Sequence, residues 1–378
     1  MGAKYFEFGF MASTKFMSSS KTPEMGHVAA EDFMGEQPRK SGDEVPPRPF
    51  QPNRELQAIL DQVKEIGNDL DNLSPASIFA VRSIREQLAQ HFLWNIPVES
   101  VRNFTVTGND SPVPVRLYVP YDKQLARAGT LPVVVFFHGG GWTLGSPSFY
   151  DSVTRQLARQ IPALVLSVEY RLAPENPFPA AVLDADAVVQ WVRHNAKEIG
   201  GDPARIVLAG DSGGGNLATV AARHARTREG PPVLMQVLFY PSTNISSFDS
   251  NSFREYGQNY LLTQKSVESF RAFYLPKRSD WTSPDASPLL AEDLSGMPST
   301  VIIGAGCDPL RDEGEAYARK LSNHGVTVTY RLEPDLIHAF LNFYNLYPDS
   351  SPYAEAVLGY AAGMIRKNCI SATLSTAG

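Results

Sequence analysis

The stretch Ile206-Val207-Leu208-Ala209-Gly210-Asp211-Ser212-Gly213-Gly214 decides the fold. Four apolar residues read as a short strand buried on both faces, and a glycine-flanked serine follows at once. A helical pattern then runs over 214–227. A strand that turns into a helix within so few residues holds its central residue in a strained conformation. It also requires small neighbours, because the two elements come close together. Taken alone, a G-x-S-x-G is a weak signal, and a glycine-rich turn with an ordinary capping serine would look the same. It is not a dinucleotide fingerprint, since the spacing is not G-x-G-x-x-G and the turn comes late in the chain.

Outward from this turn, apolar runs recur over 133–137, 163–168, 233–240, 300–305 and 326–332, with helical periodicity near 150–160, 181–197 and 311–324. Before them, Val101 to Thr107 and Val113 to Val119 alternate around Gly108-Asn109-Asp110, the mark of a hairpin. Together these predict eight strands in an α/β sheet, mostly parallel and flanked by helices on both faces. Residues 1–52, rich in Ser, Lys, Glu, Gly and Pro, read as a poorly ordered extension. Two helices follow within 53–98. The first spans about Asn53 to Leu70, and the second opens at Ser74-Pro75, with Ser as cap and Pro in the first turn, and runs to about Phe92. The main domain spans 99–370, interrupted by a Ser-, Asn- and Asp-rich insertion at 242–294 with a helix near 264–274. Residues 371–378 read as a flexible tail.

Three further elements carry chemistry. His138-Gly139-Gly140-Gly141-Trp142 follows the strand at 133–137. Glycines without Cβ let backbone N–H groups approach a ligand, and acyl transfer needs such donors where an oxyanion develops; losing one costs about 2.7–4 kcal/mol. Gly139, Gly140 and Gly141, with Gly213, are the candidate donors, and His138 is expected to brace the loop. No Lys-Ser/Thr follows, so the loop is not a phosphate cradle. Asp308, in Cys307-Asp308-Pro309-Leu310-Arg311-Asp312, could be no more than a helix cap ahead of proline. It nevertheless stands at a strand end in the chain order Ser, Asp, His. His338 lies on the loop after the last strand, where that order calls for a base. Asp312 is expected to support the loop, and Cys307 to be a buried small hydrophobe. His194, His224 and His324 are expected on solvated helical surfaces.

With 43% hydrophobic residues and a formal net charge of -6, the chain is of soluble globular type and offers no attraction to nucleic acid. No apolar run is long enough to span a membrane, and residues 6–11 are too short and interrupted for a good leader. Two cysteines, Cys307 and Cys369, make neither a disulfide framework nor a metal site, and the cytoplasm is the simplest compartment.

His138-Gly-Gly-Gly-Trp142, Tyr170-Arg171-Leu172-Ala173-Pro174-Glu175, Phe178-Pro-Ala-Ala181 with Asp184, Gly210-Asp-Ser-Gly-Gly-Gly215, Asp308-Pro-Leu-Arg-Asp312 and the late His338 resemble the hormone-sensitive-lipase-like branch of the α/β-hydrolases, the bacterial family IV esterases. The resemblance spans about residues 55–368. It implies an α/β-hydrolase fold with an N-terminal helical cap, to which the insertion at 242–294 contributes. It further implies a carboxylesterase without cofactor or metal, acting on short- to medium-chain esters through Ser212, Asp308 and His338, with the oxyanion amides at Gly140, Gly141 and Gly213. Gly213 departs from the family, which usually has Ala there. Trp142, Tyr240, Phe79 and Phe92 are candidates for lining the pocket. An amidase, a deacetylase or a lipase of the same fold stays open. A non-catalytic receptor is disfavoured because His338 is present. A small-molecule ester is the expected partner, and pairing of two copies into a homodimer would suit such a fold.

Overall fold

Alternate residues of the central strands go to opposite cores. Val133, Val135 and Phe137 pack with Ile206 and Leu208 on one side of the sheet, while Val134 and Phe136 pack with Val207 and Ala209 on the other. Because both faces are covered, the strands carry unbroken apolar runs rather than alternation. The computed structural model describes residues 49–66, 69–91, 96–108, 110–126, 129–342 and 351–375.

The strands are β1 (Ser100–Val106), β2 (Val113–Val119), β3 (Leu131–Phe137), β4 (Leu164–Val168), β5 (Gly201–Asp211), β6 (Met235–Phe239), β7 (Ser299–Cys307) and β8 (Val328–Ile337). They form one eight-stranded sheet in the order β1-β2-β4-β3-β5-β6-β7-β8. The hairpin β1–β2 and the pair β2–β4 are antiparallel, and every other neighbour is parallel. The expected eight-stranded, mostly parallel α/β sheet is therefore what the chain builds, with β5 and β8 longer than their apolar cores suggested.

Helix α1 (Arg54–Ile66) is capped by Asn53, whose Oδ1 accepts the Leu56 N–H at 2.9 Å. Helix α2 (Ile78–His91) follows a turn in which Ser74 Oγ accepts the Ser77 N–H. Phe92 and the extension at 1–48 lie outside the described residues. The crossover helices are α3 (Asp151–Gln160), α4 (Ala180–Asn195) and α5 (Gly213–Thr227). The first packs Val153, Leu157 and Ala158 on one face of the sheet, and α4 and α5 put Val188, Leu217 and Val220 on the other.

Within the insertion lie α6 (Asn251–Tyr256) and α7 (Gln264–Tyr274), and α8 (Arg311–Asn323) joins β7 to β8. A third apolar cluster joins Leu73 and Ile78 of the N-terminal segment to Phe253, Val267 and Phe270 of the insertion, and to Leu144 and Leu310 of the loops after β3 and β7. It lies beside the carboxyl ends of the strands. The C-terminal segment departs from expectation. Helix α9 (Ser351–Ser375) buries Ala354, Val357, Leu358, Ala361, Ala362, Ile365 and Cys369, a helical spacing, and continues into the stretch 371–378 expected as a flexible tail.

Leu208 sits at the centre of this sheet and is fully buried. Leu208→Ala is expected to lower unfolding free energy by about 2–5 kcal/mol, read from the denaturant midpoint. A loss under about 1 kcal/mol would contradict the packing described.

Candidate active site

One residue separates the end of β5 from the start of α5. Ser212 makes that turn with φ 54 and ψ -121, in a region a side chain rarely adopts. The turn is held from both sides: the Ser212 N–H donates to Phe239 O at 2.9 Å, and the Ser212 carbonyl accepts from the Ser242 and Asn216 N–H groups, each at 3.1 Å. Glycine is required around it for space. A Cβ on Gly214 would stand 2.1 Å from Phe137 O and 2.4 Å from His138 O, and one on Gly210 would stand 2.4 Å from Gly214 O. The start of α5 thus lies directly against the end of β3 and the loop that follows.

The other two chemical groups come from the ends of β7 and β8. His338 Nε2 lies 3.0 Å from Ser212 Oγ, and His338 Nδ1 lies 2.8 Å from Asp308 Oδ2. A carboxylate only accepts, so the imidazole proton sits on Nδ1, and Nε2 is left to accept from the serine hydroxyl. Asp308 is fully buried, and its other oxygen accepts the Leu310 N–H at 2.8 Å. The structure therefore brings together Ser212, His338 and Asp308, three residues far apart in sequence.

The loop after β3 supplies backbone donors. Gly140 and Gly141 have φ 118 and 59, and among the described residues their N–H groups have no acceptor. Gly213 opens α5, where an N–H has no partner within the helix. Its missing Cβ would meet the Trp142 indole and N at 3.3 Å, so the helix start is closely packed although it lacks the family's usual alanine. Gly139 must be withdrawn as a donor. Its N–H already donates to Asp211 Oδ1 at 2.7 Å and lies 3.2 Å from the Tyr150 hydroxyl oxygen. His138 braces the loop: its Nδ1 lies 2.9 Å from Gly139 O, and Tyr170 stacks on its ring and donates to its carbonyl at 2.7 Å. Burial lowers the His138 pKa to about 4, so it is neutral near pH 7.

The expected pocket residues divide. Trp142 is buried and stacked on Tyr274 at 4.5 Å, and Tyr240 is buried edge-on to the His338 ring at 4.9 Å. Both carry positive φ, 55 at Trp142 and 35 at Tyr240. Phe79 is 56% exposed on α2, with the Arg82 guanidinium over its ring. His224 is not a solvated surface group. Its two nitrogens lie 2.7 Å from Asp186 and from Asp285. Burial alone would lower its pKa, but the two carboxylates outweigh that and raise it to about 9. Asp312 supports the acid's loop region by accepting the Ser252 N–H at 2.8 Å, and Cys307 is buried.

Two buried carboxylates carry structure that the motifs did not reveal. Asp211 accepts from Gly139 N–H, from the Tyr150 hydroxyl at 2.8 Å and from the Tyr240 hydroxyl at 3.3 Å. Burial pushes its pKa up to about 6, and the hydroxyl and N–H donors restrain the rise. Glu313 of α8 accepts the Thr243 and Asn244 N–H groups at 2.7 and 3.1 Å, which ties α8 to the segment after β6. Only the place of Asp211 inside the serine turn could have marked it beforehand; nothing in the sequence marks Glu313. The motif at 170–175 finds its partner in Asp184, which receives the Arg171 N–H and a forked guanidinium contact.

Among the described residues no group of three metal-ligating side chains comes together, and no helix is long and apolar enough to cross a membrane. Residues 134–342 match a family described as alpha/beta hydrolase fold. The chain is 44% identical over 234 residues to the carboxylesterase NlhH of Mycobacterium tuberculosis, covering 61% of this chain and 72% of that one. It is 37% identical over 247 residues to an arylesterase of Saccharolobus solfataricus, covering 65% and 78%. Among solved structures, a hyperthermophilic esterase of Pyrobaculum calidifontis superposes with TM-score 0.75 at 37% identity, over 84% of this chain and 99% of that one. A thermostable esterase of Pseudomonas putida superposes with TM-score 0.77 at 32% identity, over 84% and 98%.

Burial raises the Glu313 pKa to about 8, against 4.5 for an ordinary glutamate. Between those values the folded protein holds a proton that the unfolded chain has released, so this group makes stability fall as pH rises from about 4.5 to 8. Glu313→Gln removes that contribution, and the variant is expected to gain stability relative to wild type as pH goes from 5 to 9. A difference between the two that does not change with pH would refute the assignment.

Proposed function

The chain belongs to the α/β-hydrolase family, in its hormone-sensitive-lipase-like branch of serine carboxylic ester hydrolases, and from that premise we propose that Ser212, His338 and Asp308 form its catalytic triad and that hydrolysis passes through an acyl-enzyme. The observation that carries this reading is the continuous line from Ser212 Oγ through the His338 imidazole to Asp308, at 3.0 and 2.8 Å.

In the first half-reaction Ser212 Oγ attacks the ester carbonyl carbon while its proton passes to His338 Nε2. The carbonyl oxygen becomes an oxyanion facing the N–H groups of Gly140, Gly141 and Gly213. These donors are fixed before the reaction begins, so they need not reorganise as charge develops. Asp308 holds the imidazole tautomer and stabilises the imidazolium. The intermediate collapses, the alcohol leaves with the proton from Nε2, and the acyl group remains on Ser212. In the second half a water gives its proton to Nε2 and attacks the acyl carbon; the acid leaves and Ser212 recovers its proton.

The substrates are small esters with short- to medium-length acyl chains. The cluster of Leu144, Phe270 and Leu310, packed beside the glycine loop, supports this range. The ring of Phe270 lies 2.4 Å from where a Cβ on Gly141 would stand. The carboxylesterase and arylesterase among the relatives support an ester in preference to an amide. Cys307 and Cys369 are buried and not joined in a disulfide, which fits a reducing compartment, and we place the enzyme in the cytoplasm.

A series of p-nitrophenyl esters from C2 to C16 tests this reading. Turnover is expected to be highest on the short acyl groups and to vanish in Ser212→Ala and His338→Ala. Asp308→Asn should lower kcat about ten-thousand-fold by imposing the wrong imidazole tautomer. Full activity in Ser212→Ala would overturn the nucleophile assignment, and a peak at C16 would overturn the chain-length range.

A further inference from the structure

Helix α2 of the N-terminal segment reaches the oxyanion loop through one side chain. Arg82 Nε donates to Thr143 O at 2.8 Å, and Arg82 Nη2 donates to Ala173 O at 2.7 Å. Glu175 clasps the same guanidinium through both its oxygens. The two carbonyls belong to the residues that hold the glycine loop. Thr143 donates its N–H to Gly140 O at 3.1 Å and its hydroxyl to Gly141 O at 2.9 Å. Ala173 donates its N–H to Trp142 O at 2.9 Å. The Gly140, Gly141 and Trp142 carbonyls are thus each bonded to Thr143 or Ala173, that of Gly140 to the Leu144 N–H as well, and Arg82 joins Thr143 to Ala173. Ser146 Oγ, further along the loop, donates to Glu86 one turn on in α2.

We propose that Arg82 is a positioning residue for the oxyanion hole: by tying Thr143, whose N–H holds the Gly140 carbonyl, to Ala173, it fixes the peptide plane that points the Gly141 N–H at the reacting carbonyl. The inference rests on the oxyanion role proposed above. Arginine suits the place because its planar fork can bond two carbonyls and a carboxylate at once, which a lysine ammonium on a flexible stem cannot do with the same geometry. Helix α2 then helps set the rate of the chemical step.

The test compares wild type, Arg82→Ala and Arg82→Lys on p-nitrophenyl acetate, with rates expressed per active site titrated by a p-nitrophenyl phosphonate, so that misfolded protein does not count. Loss of donor placement acts on the transition state more than on ester binding. In Arg82→Ala kcat is therefore expected to fall about tenfold or more with KM within about threefold of wild type, since misplacements of about 1 Å cost about a hundredfold. Millimolar guanidinium should restore part of the kcat of Arg82→Ala and leave wild type unchanged, a response that a general loss of stability would not give. Arg82→Lys, which keeps charge and stem, should fall in the same direction and carries the test if the alanine variant does not fold. Unchanged kcat per titrated site in either variant, or a change confined to KM, would overturn the proposal while leaving the triad standing. Absence of both titration and hydrolysis in wild type would overturn the triad reading beneath it.

Discussion

The turn from β5 into α5 has room for a single residue, and that residue must accept a positive φ. Everything else near the site is arranged to hold it there. The glycines at 210 and 214 let the strand end, the helix start and the loop after β3 approach to distances at which any Cβ would collide with a carbonyl. That approach does two things together. It lifts the Ser212 hydroxyl above the sheet, and it brings the glycine loop alongside, so that the proposed nucleophile and the proposed backbone donors are placed by one packing contact. The strain in such a turn, of the order of 1–3 kcal/mol, persists only where the surroundings over-determine it. Here they do so through hydrogen bonds to both the N–H and the carbonyl of Ser212.

Behind the turn, buried acids act as brackets. Asp211 gathers the Gly139 N–H and two tyrosine hydroxyls, so the Ser212 turn, the glycine loop and the residue that backs His338 share one carboxylate. Glu313 does the same for α8 and the segment after β6, which itself bonds the Ser212 carbonyl through the Ser242 N–H. A buried carboxylate is costly unless its oxygens are filled; peptide and phenol donors fill those of Asp211, while burial keeps Glu313 protonated up to about pH 8. In both cases at least one polar partner is a backbone N–H of a loop beside the Ser212 turn.

Much of this was legible in the sequence because it rests on local rules. Unbroken apolar runs separated by helical periods read as a sheet covered on both faces, and the serine turn, the glycine loop, Asp308 and His338 each follow a strand. What stayed hidden depends on contacts between distant segments. Gly139 looked like a third donor, but its N–H is claimed by Asp211, a pairing across the sheet that no spacing reveals. The stacking of Trp142 on Tyr274 and the edge contact of Tyr240 with His338 likewise join segments far apart in sequence. His224 lies on a helix with polar neighbours, and only folding brings Asp186 and Asp285 to it. Helix α9 escaped notice because its apolar positions, many of them alanine, make a weak stripe until α3 and the sheet cover it.

The central claim is that Ser212 is the group that becomes covalently bound. Treating the protein with diethyl p-nitrophenyl phosphate and mapping the adduct by peptide mass spectrometry tests it most directly, because the phosphoryl group reacts where the acyl group would and does not readily leave. One diethylphosphoryl group per chain, located on Ser212 and matched by stoichiometric loss of ester hydrolysis, is the predicted result. An adduct on another residue with activity lost, or full hydrolysis remaining after Ser212 is modified, would contradict it.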